Sequence, residues 1–336
     1  MITTTIHPHL SLPYLASSLF LVLLLLLFMA SLHVTPRGIP FCPLTVAKAF
    51  KDMTKQQQHY AYYMMRAGWQ GTPVVARQLS PESLPLLKLF HEILSAKESI
   101  PLFKSTVLQQ QPSLKEDEVD QFLEYAALLY CNMGNYLSFG DSKFIPSCNK
   151  DVFRTILKSV KPDVEETLID QAYDLAESKL SLNYPPKGIS AYYSENITEA
   201  DAVLANEFLS SKKMEGVNTR VWKSVEGDQV TLTIRIASAR KKELPAESFK
   251  GVSIVLSYGD HAEEMQKVVQ ELQNALPYVE NDTQKRMLEH YIRHFEDGGC
   301  GGAQTFAKRV GEGLGPGGGD EYWFYRILPR PVWCAQ

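Results

Sequence analysis

The amino-acid sequence predicts an α+β fold: a mostly helical lobe with a small antiparallel β part, preceded by an apolar N-terminal helix. Three observations predict it. Apolar residues recur at three-and-four spacing through much of 49–176 and again over 261–295, the mark of helices with one buried face. Between Asn218 and Tyr258 the spacing changes to two, as in strands whose side chains alternate between core and solvent. Residues 1–36 carry no Asp, Glu, Lys or Arg, and residues 19–29 are almost purely apolar. The chain divides accordingly into an apolar leader (1–45), a globular lobe (46–297) and a glycine-rich tail (298–336).

The leader includes five consecutive leucines, Leu23 to Leu27, with no polar face. Residues 14–32 are roughly the length that spans a bilayer. A membrane helix and a secretory signal are both open readings, although the signal reading lacks a basic n-region and has a poor cleavage site at Ala30-Ser31. A mistranslated first exon is the third. Pro36, Pro40 and Pro43 then separate the leader from the body.

In the body, residues 49–69 read as a helix, and Ser80-Pro81 opens the next segment, which runs to about Lys97. Ser113 and Glu116 form a capping box for a helix whose apolar face holds Val119, Phe122, Leu123, Ala126, Tyr130 and Met133. Pro162-Asp163 starts a helix with Val164, Leu168, Ala172, Leu175 and Ala176 on one side, ended by residues 183–188. Thr198 and Asp201 start another. Val221 to Val225, a Glu226-Gly227-Asp228 turn and Val230 to Ile236 form a hairpin, and residues 251–258 supply a third strand. Met265, Val268, Val269, Leu272 and Ala275 mark one helix, and Leu288, Tyr291, Ile292 and Phe295 mark the last. Asn196-Ile-Thr198 and Asn281-Asp-Thr283 are glycosylation sequons, but Thr198 is better explained as a cap.

Charge and cysteine usage remove several function classes. The 38 acidic and 34 basic residues give a net charge of −4 with no Lys/Arg block, which speaks against nucleic-acid binding. Five scattered cysteines without a Cys-x-x-Cys exclude a zinc ribbon and fit a reducing compartment. His91-Glu92 lacks a second histidine one helical turn on, because Ser95 and Ala96 stand there, so both read as helix-surface residues. His290 and His294 are one turn apart but lack an intervening Glu and a third ligand, and read as solvated. Gly313, Gly315 and Gly318 satisfy a dinucleotide fingerprint by chance, since no strand precedes them and Pro316 interrupts. Ten of the 20 glycines lie between Gly298 and Gly319, a composition that predicts a flexible tail. The aromatic patch at residues 321–325 reads as an exposed sticky patch or as a peptide that docks on a protein partner.

The most informative stretch is residues 130–146, where Gly134, Gly140 and Pro146 break the helical pattern. Asn132, Asn135, Ser138 and Asp141 are turn formers, and Tyr136, Phe139 and Phe144 are interleaved among them. Such a loop packs by its rings and still offers backbone groups to a ligand, and an ordered loop under a core is the plainer reading. The words Asn132-Met-Gly-Asn-Tyr136, Ser138-Phe-Gly-Asp141 and Lys143-Phe144 resemble the N-terminal lobe of the dipeptidyl peptidase III family. Weaker echoes are Tyr60-Ala-Tyr62, Arg66-Ala67, Trp69-Gln-Gly71, residues 188–198 and Asn218-Thr-Arg220.

The resemblance implies a cytosolic zinc peptidase that releases dipeptides from oligopeptide N-termini. It implies helices packed on an incomplete β-barrel, with the lobe as one wall of a substrate cleft. Phe139 and Gly140, with neighbouring Ser138, are then the candidate substrate contacts. The family's His-Glu-x-x-x-His and Glu-Glu-x-x-x-Glu motifs do not occur in this sequence. Without them no zinc is expected to bind and no water is activated, so the chain reads as a truncated, inactive lobe. The alternative is a non-catalytic lobe that binds peptide or protein, anchored to a membrane if the leader is genuine. No catalytic residue is assigned, because no histidine has a nucleophile motif beside it.

Overall fold

A computed structural model describes residues 32–39 and 46–299. Residues 1–31 and 40–45 of the leader, the tail from residue 300 and its aromatic patch lie outside the described residues. Among the described residues no helix is long and apolar enough to cross a membrane.

The helix expected at 49–69 is two helices. α1 (Ala47–Asp52) ends at extended Met53, and Thr54 starts α2 (Lys55–Leu79) by a reciprocal capping box with Gln57. A good cap two residues past a short, wholly exposed run favours a fresh start over continuation. α2 continues to Leu79 through Pro73.

Next come α3 (Ser83–Ser95), α4 (Ile100–Gln110), α5 (Glu116–Asn132), α6 (Lys150–Val160) and α7 (Glu166–Tyr173). At the start of α5 the reciprocal partner is Glu118, whose carboxylate accepts from the Lys115 N–H at 2.8 Å, so Ser113 and Glu116 do not form the box. Its buried face is Val119, Phe122, Tyr125, Ala126 and Leu129, while Leu123 and Tyr130 flank it. α7 stops at Tyr173, leaving Leu175 and Ala176 outside the helix. The sequence reading missed α4 and α6, although Ser99 before Ile100-Pro101 and Asn149 before Lys150 both cap in the expected way. These helices share one core, in which Phe90, Phe103, Phe122, Tyr125 and Phe153 are fully buried and in ring contact.

α8 (Glu199–Ser211) begins at Thr198 in a capping box with Asp201, as expected. The sheet follows: β1 (Thr219–Glu226), β2 (Gln229–Ala237), β3 (Lys242–Glu243), β4 (Glu247–Phe249) and β5 (Val252–Asp260). β1 and β2 form the expected antiparallel hairpin, but β5 runs parallel to β2, so the sheet is mixed rather than antiparallel. The chain first lays β3 and β4 on the far edge of β5, then reverses at Lys250-Gly251, both at positive φ. Alternation of side chains reports which face is buried, not which way a strand runs. Val221, Leu232, Ile234, Ile236, Ile254 and Leu256 cover the face packed on Ala205, Phe208 and Leu209 of α8.

α9 (Ala262–Ala275) and α10 (Asp282–Asp297) bury the apolar stripes read from the sequence and pack with Ala67 and Val74 of α2. α2 is therefore the spine between two cores, since Ala76 lies in the other. Arg66–Glu271 and Arg77–Glu264, both 2.6 Å, tie it to α9. His294 corrects the sequence reading: it is only 5% exposed, and its Nδ1 lies 2.9 Å from the Gly299 carbonyl oxygen. The helix ends in a left-handed Gly298, which brings the Gly299 carbonyl back to the ring.

Candidate functional site: a clamped hairpin at residues 132–146

Met133, in the left-handed conformation, closes α5, and the chain turns into a short irregular hairpin. Tyr136 pairs with Lys143, the Leu137 N–H donates to the Ser142 carbonyl at 2.9 Å, and the Phe144 N–H donates to the Asn135 carbonyl at 3.0 Å. The arms are extended by neighbours. Lys143 N–H donates to Leu180 O, Leu182 N–H donates to Asp141 O, and Ile145 bridges to Val34. Further single bridges, Leu182–Ile189 and Tyr193–Val221, carry this run of extended segments to β1.

Beneath the hairpin lies a buried polar network. Lys143 is fully buried, and its Nζ donates to Glu82 Oε1 at 2.9 Å and to the Gln171 carbonyl at 3.0 Å. Asn135 Nδ2 donates to the same Glu82 oxygen at 3.0 Å. Asn135 Oδ1 accepts from Ser80 at 2.8 Å and from Ser83 at 3.0 Å. Burial by itself raises the Glu82 carboxyl, but the Lys143 charge and the two hydrogen bonds outweigh it and hold the group below its usual range. The Tyr136 ring packs under the Lys143 ammonium, and its hydroxyl donates to Lys179 O at 2.7 Å. The aromatic and polar residues picked out from sequence are thus sorted: Tyr136, Phe144 and Asn135 are buried supports.

The three candidate contacts form the tip. Ser138 N–H donates to Asn132 Oδ1 at 2.7 Å, which ties the tip to the end of α5. Gly140 and Asp141 both take positive φ, 92° and 53°. The turn this produces leaves Phe139 88% exposed. The sequence reading singled out Ser138, Phe139 and Gly140 but gave no role beneath them to Glu82, Ser80 and Ser83, which sit over 50 residues away at the α2–α3 corner.

Among the described residues, the histidines singled out from the sequence do not fit a zinc ion. His91 and Glu92 are exposed on α3, Glu92 pairs with Lys161 at 2.7 Å, and Ser95 donates to the His91 carbonyl where a second ligand is needed. His294 is committed to Gly299, and the Arg293 guanidinium lies 3.3 Å from His290 Nδ1, repelling a cation. Among the described residues no three His, Cys, Asp or Glu side chains gather in a metal-binding group. Burial pushes the Cys148 thiol up to about 11, which disfavours its thiolate as a nucleophile.

The pattern of peptidase family M49 matches residues 164–306. The chain is 37% identical over 270 residues to the dipeptidyl peptidase 3 of Dictyostelium discoideum, over 79% of this chain and 38% of that protein. It is 32% identical over 290 residues to the dipeptidyl peptidase 3 of Nematostella vectensis and 32% over 286 to that of Homo sapiens, covering 40% and 38% of them. The chain therefore spans about two-fifths of the length of the curated relatives it matches. Over that part, it belongs to the dipeptidyl peptidase III family.

Proposed function

We propose that this chain supplies the peptide-holding lobe of a dipeptidyl peptidase III-type enzyme, and that residues 46–297 are that lobe. The observation that carries the reading is Phe139, an almost fully exposed ring on a turn anchored from both sides. Ser138 and Gly140 flank it, and the left-handed Gly140 keeps the backbone free of a side chain where a peptide would approach. On this reading the open mixed sheet is a part of a barrel whose other strands are not in this sequence. The chain as written holds peptide without cleaving it, because neither zinc motif of the family occurs in it. Oligopeptides are the partners, and the family's cytosolic setting is the proposed one.

Titration of a fluorescent pentapeptide into the full 336-residue chain tests the holding role. Binding is expected, weakened about tenfold (~1.4 kcal/mol) by Phe139→Ala. Unchanged affinity in the variant removes Phe139 from the site. Incubation with a dipeptidyl-naphthylamide and added zinc tests inactivity; turnover proportional to bound metal overturns it.

A further inference from the structure

The side chains of the two arms of the hairpin at 135–143 meet on one atom. Asn135 lies on its incoming arm and Lys143 on its outgoing arm, and both side chains reach down to Oε1 of Glu82, at 3.0 and 2.9 Å. Glu82 sits at the N-terminal boundary of α3, immediately after the turn from α2. Its carboxylate is 6% exposed and the ammonium of Lys143 is wholly buried. We infer that Glu82 is the positioning residue of the peptide-contact turn, its single oxygen fixing the spacing of the two arms and thereby the direction in which Phe139 projects.

The physical argument rests on what else could hold the arms. Between them run two backbone hydrogen bonds, Leu137 to Ser142 and Phe144 to Asn135, too few for a stable hairpin in water. A charge-assisted bond is roughly twice as strong as a neutral one, and in a dry site it is directional and unscreened. The same carboxylate orients Asn135, whose Oδ1 then faces the Ser80 and Ser83 hydroxyls. The clamp therefore joins the turn to the α2–α3 corner, the junction of the helical cores. A neutral filler of equal volume would hold the arms together by packing but would not set their register. Phe139 needs such a support more than a buried ring does, because at 88% exposed it gains little restraint from packing.

The inference rests on the peptide-holding reading for what the turn does, but its first readout is independent of peptide. Amide hydrogen exchange is measured at Leu137, Ser138 and Phe144 in the full wild-type chain, Glu82→Ala and Glu82→Gln, with Leu232 and Ile234 in β2 as remote controls. Glu82→Gln retains an acceptor oxygen of the same reach. Glu82→Ala is expected to speed exchange at the three hairpin amides at least tenfold and leave the β2 amides within twofold, with Glu82→Gln between. Equal acceleration at both places would mean general destabilisation and overturns the inference. If Glu82→Ala does not fold, Glu82→Gln carries the comparison, and hairpin exchange identical to wild type overturns it. The second readout is pentapeptide affinity, expected to fall in the same order. A loosened hairpin with wild-type affinity overturns the positioning role. A wild-type chain that binds no peptide sinks the peptide-holding reading instead, and exchange then decides alone whether Glu82 sets the turn.

Discussion

The Cβ that Gly134 lacks would stand 2.4 Å from Oγ of Ser83 and 2.7 Å from Cδ1 of Leu79. The end of α5 therefore meets the α2–α3 corner with no room for a methyl group, and Gly134 is required for closeness rather than for an unusual φ. Ser83 is also a donor to Asn135, so pressure at Gly134 is transmitted to the network below the hairpin. Gly134→Ala is expected to destabilise the protein by about 1–3 kcal/mol, the usual cost of overpacking. Urea denaturation measures it. A change below about 0.5 kcal/mol would show that the corner yields freely.

Lys143 and Glu82 make a buried pair, and removal of one member leaves the other charged in a dry site. Lys143→Met is expected to cost about 3–5 kcal/mol. The double variant Glu82→Leu/Lys143→Met should regain part of that loss, because neither charge is then stranded. Lys150–Asp170, at 2.6 Å but well exposed, is the contrast, and Lys150→Met should cost less than about 1 kcal/mol. Equal losses at the two sites would show that burial does not set the cost of breaking these pairs.

Stability should fall in two steps as the pH is lowered. Burial holds the His294 and His261 imidazoles below their ordinary value of 6.5. The unfolded chain therefore takes up protons first, and stability is lost as pH falls below about 6.5 toward their folded values. Glu82 and Asp260 are both held low despite burial, Glu82 by Lys143 and Asn135, and Asp260 by Arg220, His261 and Arg235. Their contribution is complete above the ordinary carboxylate range and is lost as pH falls through and below it. Chemical denaturation from pH 8 to pH 3 would resolve the steps. His294→Gln should flatten the upper one, and an unaltered profile in that variant would remove His294 from the account.

The hydroxyl of Tyr125 is buried in the main aromatic core with no hydrogen-bond partner among the described residues. Burial drives its ionisation far above the usual phenol range, so it is a neutral polar group in an apolar place. Tyr125→Phe is expected to leave stability unchanged or raise it by about 1 kcal/mol. A loss above about 1 kcal/mol in thermal or urea unfolding would reveal a partner for the hydroxyl.

Arg220 reaches Asp260 through two hydrogen bonds, 2.6 Å from Nε and 2.5 Å from Nη2, and stacks on Trp222. It also stands directly opposite Arg235 across the β1–β2 pair, an unfavourable placement that Asp260 offsets. Asp260→Asn should therefore destabilise the sheet by about 2–3 kcal/mol, with a smaller loss when Arg235→Thr is added. Additive losses would show that the two arginines do not feel each other.

By itself, the sequence determined the last two helices, the start of α8 and the β1–β2 hairpin. The stripes of α9 and α10, the Thr198 cap and the β1–β2 turn needed only local spacing and side-chain chemistry. It also determined the family, through the words around Phe139. The tertiary structure alone decided what depends on distant neighbours. Strand direction in β5 follows from where residues 238–251 cross, and burial of His294 follows from the fold-back at Gly298. The hairpin shows the division most clearly. Asn135, Lys143 and Phe139 are all legible as a polar and aromatic loop, but which are supports and which is the tip depends on Glu82, 53 residues upstream of Asn135. A carboxylate gains that role only when folding removes water and brings both arms to one oxygen, and local periodicity carries no record of such a meeting.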